Sequence, residues 1–266
     1  MMDDFHIACG QFMAVPGDKA ANVARMLDYA GQARARGCAL ILFPELILTG
    51  YLPAAQIAPL AEPLNGPAVH QIGQGARALD IAIAFGMAEL DEYGVCHNSL
   101  VVIDRAGQLA GRYRKIHLWG EEATWAAPGD EVSTFVLDGV PCSGWICYDT
   151  RFPEVARLAA LAGAQVALVS TAWLGPREEW ALAIRARALD NSIFVAGADL
   201  INPDPTLRCV GASLIVGPRG EMLAEAEVGH AGIIDAVLDG AVLRRQRDRL
   251  HLLENRRLEV VWRRGK

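Results

Sequence analysis

Short apolar β-like runs alternate along this chain with stretches whose apolar positions recur near every 3.6 residues, and each switch between them marks a new element. HIACGQF (6–12) reads as a strand. Residues 17–36 (GDKAANVARMLDYAGQARAR) place Val23, Met26, Leu27 and Ala30 on one helical face, and Gly37 closes that helix before the buried strand CALILFPE (38–45). The pair repeats as helix PAVHQIGQGARALD (67–80) and strand IAIAFGMAEL (81–90), and HNSLVVIDRAGQLAGRYRK (97–115) predicts a hairpin turning at 105–107. The second half has the same order. Strand VPCSGWICYD (140–149), helix PEVARLAALAG (153–163), strand AQVALVSTAW (164–173), helix PREEWALAIRARALDN (176–191) and strand SIFVAGADL (192–200) lead to a hairpin over 209–228 that turns at 218–220. Two such halves predict two sheets packed face to face with helices outside both. With no Ser/Gly-rich linker between them, one domain is expected over residues 1–266.

At 266 residues and 52% hydrophobic composition, the chain is long and apolar enough to bury one large core, which excludes a disordered protein. MMDDFHIACGQF opens with acids where a secretory leader would carry positive charge, and no apolar run approaches the roughly 20 residues of a membrane span. The expectation is a cytoplasmic protein with no membrane partner. A net charge of -6 argues against binding a nucleic-acid backbone. Arginines gather in LRRQRDRL (243–250) and ENRRLEVVWRRGK (254–266), where they predict a solvated helix face or a subunit contact, so that about 238–266 is a candidate oligomer-contact tail. The cysteines at 9, 38, 96, 142, 147 and 209 form no CxxC pair and no Cys/His spacing for zinc. Cys9, Cys38 and Cys142 sit inside apolar runs that suit small buried hydrophobes.

Three reactive positions stand at the ends of β-like runs: Glu45 after LILFP, Lys115 after GRYR and Cys147 after GWI. Rigid strands that end together hold loops where sites are built. Pro153 and Glu154 read as the start of a helix, which puts Cys147 on the turn leading into it. Backbone N–H groups there, with the Lys115 ammonium, would lower a thiol pKa and bind an oxyanion, while Glu45 would take the thiol proton. Read singly, Glu45 is equally a salt-bridge acid and Lys115 a surface strand end.

Together, FPEL (43–46), YRKIHL (113–118) and CYDTRFPE (147–154) resemble the three signature blocks of the nitrilase superfamily, the carbon–nitrogen hydrolases. RARALDN (185–191) and GASLIVGPRG (211–220) also look like family segments, so the likeness spans nearly the whole chain. The resemblance implies a four-layer α-β-β-α sandwich and a catalytic triad of Glu45, Lys115 and Cys147. It further implies homodimers or larger homo-oligomers, and a second site glutamate in KIHLWGEEATWAAPGD that matches Glu122, with Glu121 adjacent. The chain departs from the family pattern at Asp190, where glutamate is usual, and at Gly217, where aspartate is common.

The implied chemistry is hydrolysis of a small amide through a cysteine thioester. Lys115 and the Tyr148 backbone N–H would hold the oxyanion, Glu45 would alternate as base and acid with a carboxyl pKa raised by burial, and neither metal nor organic cofactor is needed. CYDTRFPE resembles the amidase and carbamoylase branches more than the nitrile-cleaving one. An aliphatic or ω-amidase-like enzyme is therefore the first expectation, a nitrilase or N-carbamoyl-amine hydrolase the second. A non-catalytic scaffold with the same fold is the alternative of another class. Tyr51, Trp119, Trp125 and Trp173 are expected to wall the pocket. Arg151 is a candidate for binding a substrate carboxylate, as in ω-amidase-like enzymes, or for a structural ion pair at the helix start.

Overall fold

The computed structural model describes residues 2–202, 204 and 209–257. Its strands are β1 (Phe5–Gln11), β2 (Leu40–Leu42), β3 (Ala82–Leu90), β4 (Cys96–Ile103), β5 (Leu109–Arg114), β6 (Thr134–Leu137) and β7 (Val140–Ile146). They continue with β8 (Val166–Thr171), β9 (Phe194–Asp199), β10 (Ile201–Asn202), β11 (Cys209–Val210), β12 (Leu214–Val216), β13 (Met222–Glu225) and β14 (Gly232–Leu238). The helices are α1 (Lys19–Ala35), α2 (Ala54–Ile57), α3 (Pro67–Leu79), α4 (Pro153–Leu161), α5 (Arg177–Asn191) and α6 (Gly240–Leu250).

One six-stranded sheet runs β14-β1-β2-β3-β4-β5 and the other β13-β12-β9-β8-β7-β6. Side chains alternate across the first sheet as strand geometry requires. Ala8, Ile41, Ile83, Phe85, Val101 and Ile103 pack with Val23, Met26 and Ala30 of α1 and Val69, Ile72 and Ala76 of α3. Their neighbours Ile7, Cys9, Leu40, Leu42, Ala84, Leu100 and Val102 join the core shared with the second sheet, which α4 and α5 cover from outside. The result is the expected α-β-β-α order of layers. Cys9, Cys38 and Cys142 are buried as expected. No helix among the described residues is long and apolar enough to cross a membrane.

Three expectations change. The strand expected over 38–45 stops at Leu42: Phe43 still gives its N–H to Ala84 on β3, but the backbone then turns over 45–49, with Leu46 at φ +51°. The hairpin expected over 209–228 forms only between Leu214 and Glu225, since Cys209 and Val210 pair with Asn202 and Ile201. Strands β6 and β14 are additions. β14 returns antiparallel to β1, matching Phe5 with Leu238, and its mostly half-buried residues carry little alternation to announce it.

Two of the four α6 arginines turn inward, while Arg245 and Arg249 stay exposed as a solvated helix face. Arg244 donates to the Met2 carbonyl, and Arg247 donates to those of Ser192 and Ala164. Residues 258–266 of the expected contact tail lie outside the described residues.

Candidate active site

Glu45 owes its position to the glycine beneath it. At Gly86 on β3 a Cβ would lie 2.6 Å from the Glu45 Cα and 2.5 Å from the Leu46 nitrogen, so only a bare backbone lets the 43–46 turn rest on that strand. Lys115 directly follows β5, and its N–H bonds to the Asn98 carbonyl on β4. Glu122 lies in a short 3-10 turn, Gly120–Thr124, where its carboxylate accepts from the Trp119 N–H at 2.7 Å. Of the two adjacent candidates Glu122 is buried and Glu121 exposed.

These turns bring three charges together. Lys115 Nζ donates to Glu45 Oε1 at 2.8 Å and to Glu122 Oε1 at 2.7 Å. Asn98 Nδ2 donates to the same two oxygens at 2.7 and 3.1 Å, and the Ala172 N–H closes the set at Glu45 Oε2, 2.9 Å away. Burial by itself opposes a charge on Lys115, but Glu45, Cys147 and Glu122 hold its pKa well above the ordinary lysine value. Glu122 is pushed above the usual carboxylate range by burial, against the pull of Lys115.

Cys147 opens a second 3-10 turn, Cys147–Arg151, and has φ +45°, a left-handed conformation that a non-glycine residue adopts only where its surroundings enforce it. Asp149 provides the enforcement. It accepts from the Tyr113 hydroxyl at 2.8 Å, from the His117 N–H at 2.8 Å and from the Ile146 N–H at 3.3 Å, and His117 Nδ1 sits 2.7 Å away. The turn carrying the cysteine is thus tied to residues flanking Lys115. The Cys147 thiol donates to the Ala172 carbonyl at 3.7 Å. Its pKa is raised, first by burial and then by Glu45, with Lys115 opposing; the lowering expected from the helix start and the lysine is outweighed by the loss of water around the sulfur.

A cleft of two adjoining lobes leads to this group, and both lobes are lined by Tyr51, Trp119 and Leu174. The lobe holding Cys147, about 230 Å³, adds Tyr148, Arg151, Trp173 and Glu179. The other, about 270 Å³, adds Glu122 and Trp125. Trp119 stands edge-on to Tyr148 at 4.7 Å, whereas Trp173 is almost wholly buried against Trp180. Burial first, and then the Glu45 and Glu122 charges, raise the pKa of Tyr51. A larger cavity, about 660 Å³, opens by the starts of α1 and α3 and contains none of these residues.

A family model described as carbon-nitrogen hydrolase matches residues 6–248. The chain belongs to that family. An (R)-stereoselective amidase of a Pseudomonas species is 36% identical to this carbon–nitrogen hydrolase, over 82% of this chain and 81% of its own length. A 2-oxoglutaramate amidase of Bacillus subtilis is 32% identical over 88% and 90%. A solved variant of the nitrilase-superfamily amidase from Nesterenkonia AN1 superposes with a TM-score of 0.85 at 30% identity, covering 96% of this chain and 95% of that one. Another variant of that amidase shows covalent addition of the acetamide moiety of fluoroacetamide at its active site cysteine.

Sequence reading did not find four residues of this carbon–nitrogen hydrolase site. Asn98 is a buried amide in the apolar strand HNSLVV, and that mismatch was its signal. Asp149 lies two residues past the cysteine, and nothing in its local sequence marks the partners it reaches. Asp199 ends β9 and accepts the Trp173 and Ala212 N–H groups at 2.9 and 3.0 Å, which holds the turn carrying Ala172. Burial pushes its carboxyl up to about 7. Glu179, which meets Arg151, had no local signal at all. Of the two family departures, Asp190 is exposed near Arg187, and Gly217 sits in the hairpin turn; neither touches the cleft.

Proposed function

We propose that this carbon–nitrogen hydrolase converts a small linear amide and water into a carboxylic acid and ammonia through a thioester on Cys147. The observation that carries the reading is the buried Glu45–Lys115–Glu122 group beside a cysteine held at φ +45°.

A thiol with a raised pKa stays protonated, so attack requires a base at hand. Glu45 takes that proton as the sulfur bonds to the substrate carbonyl carbon, and the carbonyl oxygen becomes an oxyanion. An ammonium has three donors. Two of those on Lys115 are engaged by Glu45 and Glu122, which leaves the third, with the Tyr148 backbone N–H, for the oxyanion. Glu45 then returns the proton to the leaving nitrogen, the C–N bond breaks and ammonia departs. Water gives a proton to Glu45 and attacks the thioester carbonyl; the C–S bond breaks, the sulfur regains a proton and the acid leaves. Glu122 keeps Lys115 in place, and Tyr51, Trp119 and Trp173 wall the acyl group.

The test is ammonia release from a panel of aliphatic amides, ω-amides of dicarboxylates, aromatic amides, nitriles and N-carbamoyl amines. Amide turnover in the wild type, lost in Cys147→Ala, is the expected result. Amide turnover retained by that variant would sink the cysteine mechanism, and turnover of nitriles or N-carbamoyl amines alone would replace the amide reading.

A second copy of the chain is the proposed partner. Leu158 and Leu161 on α4 and Leu182 and Leu189 on α5 are exposed at helical spacing on the outer layer, which supports a homo-oligomer covering that face. Sedimentation of a Leu182→Lys, Leu189→Lys variant tests it, a smaller species being the expected outcome.

A further inference from the structure

We propose that Glu179 determines specificity by withholding Arg151 from substrate carboxylates, so that the cleft selects neutral amides over amides bearing a distal carboxylate. The inference rests on the amide reading above and names the substrate class of that site.

Arg151 closes the turn that Cys147 opens, and it is the one cation among the described residues lining the cysteine lobe. The other cation at the site, Lys115, is buried and shared between Glu45 and Glu122. A substrate carboxylate in this lobe therefore has Arg151 as its available counter-charge. Arg151 is already engaged on two sides. The Arg151 guanidinium donates to the Glu179 carboxylate at 2.5 Å, and its central carbon lies 4.8 Å over the Trp173 ring.

A negative charge at position 179 is favoured independently of Arg151. It stands with Glu178 in the first turn of α5, where the exposed N–H groups of the helix favour negative charge. An incoming carboxylate would have to displace one anion fixed at that helix start and then remain beside it, with Glu45 and Glu122 adding negative potential nearby. A neutral amide displaces nothing. It meets Tyr51, Trp119, Trp173 and Leu174 and leaves the ion pair intact.

The side chains of Arg151 and Glu179 are 46% and 49% exposed, so the pair contributes little to the stability of the fold and can be altered in a folded protein. The experiment compares kcat/KM for butyramide and for succinamate, which have the same chain length, at low ionic strength. The variants are Glu179→Gln and the double variant Glu179→Gln, Arg151→Gln, with circular dichroism as the folding control. The wild type is expected to favour butyramide by about tenfold or more, a comparison that needs no variant. Glu179→Gln should raise the succinamate-to-butyramide ratio about tenfold through the KM for succinamate, and the gain should shrink at high salt. Adding Arg151→Gln should abolish it. A wild type that prefers succinamate, or a folded Glu179→Gln variant with an unmoved ratio, overturns the inference and leaves the amide reading standing. A wild type that cleaves neither amide overturns the inference, and one that cleaves no amide of the wider panel removes the amide reading as well.

Discussion

At the floor of the cleft, Glu45, Lys115 and Glu122 are almost wholly buried and bonded to one another, whereas at its rim the side chains of Arg151 and Glu179 are close to half exposed, as is Trp119. Both regions pair acids with a base. At the floor each charge has lost its water and depends on its partners, so removing one member strands the others. At the rim water screens every charge, and a substitution there redirects ligand preference while the fold stands. The groups proposed to react are thus fixed by mutual desolvation, and those proposed to select are left adjustable.

The strongest challenge to this contrast is a change at the floor itself. Glu45→Gln should lower kcat by about 10²–10⁴-fold, the usual share of a positioned proton-transfer group, while the substrate still binds. Pre-steady-state kinetics would read it, and a rate near wild type would remove Glu45 from the proton path. Lys115→Met should cost about 3–5 kcal/mol of stability, because two buried carboxylates would then face each other with only Asn98 between them. The urea midpoint measures this, and the loss should diminish at acid pH as the carboxylates protonate; a midpoint unchanged at neutral pH would mean the floor is not under the stated strain.

Asp199 offers a subtler test, through the pH dependence of stability. Its carboxyl rises from 3.8 to about 7 on folding, so the folded chain keeps a proton that the unfolded chain releases between those values. The stability this residue contributes is therefore full below about pH 4 and declines as the pH rises toward 7. Asp199→Asn should flatten that part of a melting-temperature series, and a variant with the wild-type slope would exclude Asp199 as its source. The smallest effect belongs to the rim. Trp119→Ala should change stability by no more than about 0.5 kcal/mol and raise KM with kcat little altered, the mark of lost uniform binding. A large fall in the unfolding midpoint would show that the rim is structural after all.

Much of this is legible in the sequence. Period-3.6 patterns located α1, α3, α4 and α5, because each buries one face and polarity records which, and the long strands, buried on both faces, stood out as short continuous apolar runs between turns. Glu45, Lys115 and Cys147 were legible for another reason: each is a reactive residue at a strand end, in a block with its own local chemistry. Strands such as β14, half-buried along most of their length, left no such record.

Sequence by itself thus determined the layers, the three residues proposed to react and the family, since these rest on local pattern and on motif blocks that resemble the family's. Tertiary structure alone decided what lies next to what. Asn98 meets Glu45 across 53 residues and Ala172 meets it across 127. Asp149 reaches back to Tyr113 and His117, and Glu179 reaches Arg151 from another helix. It also reversed the expected sign of the thiol shift, because desolvation depends on everything packed around the sulfur and spacing along the chain carries no measure of it.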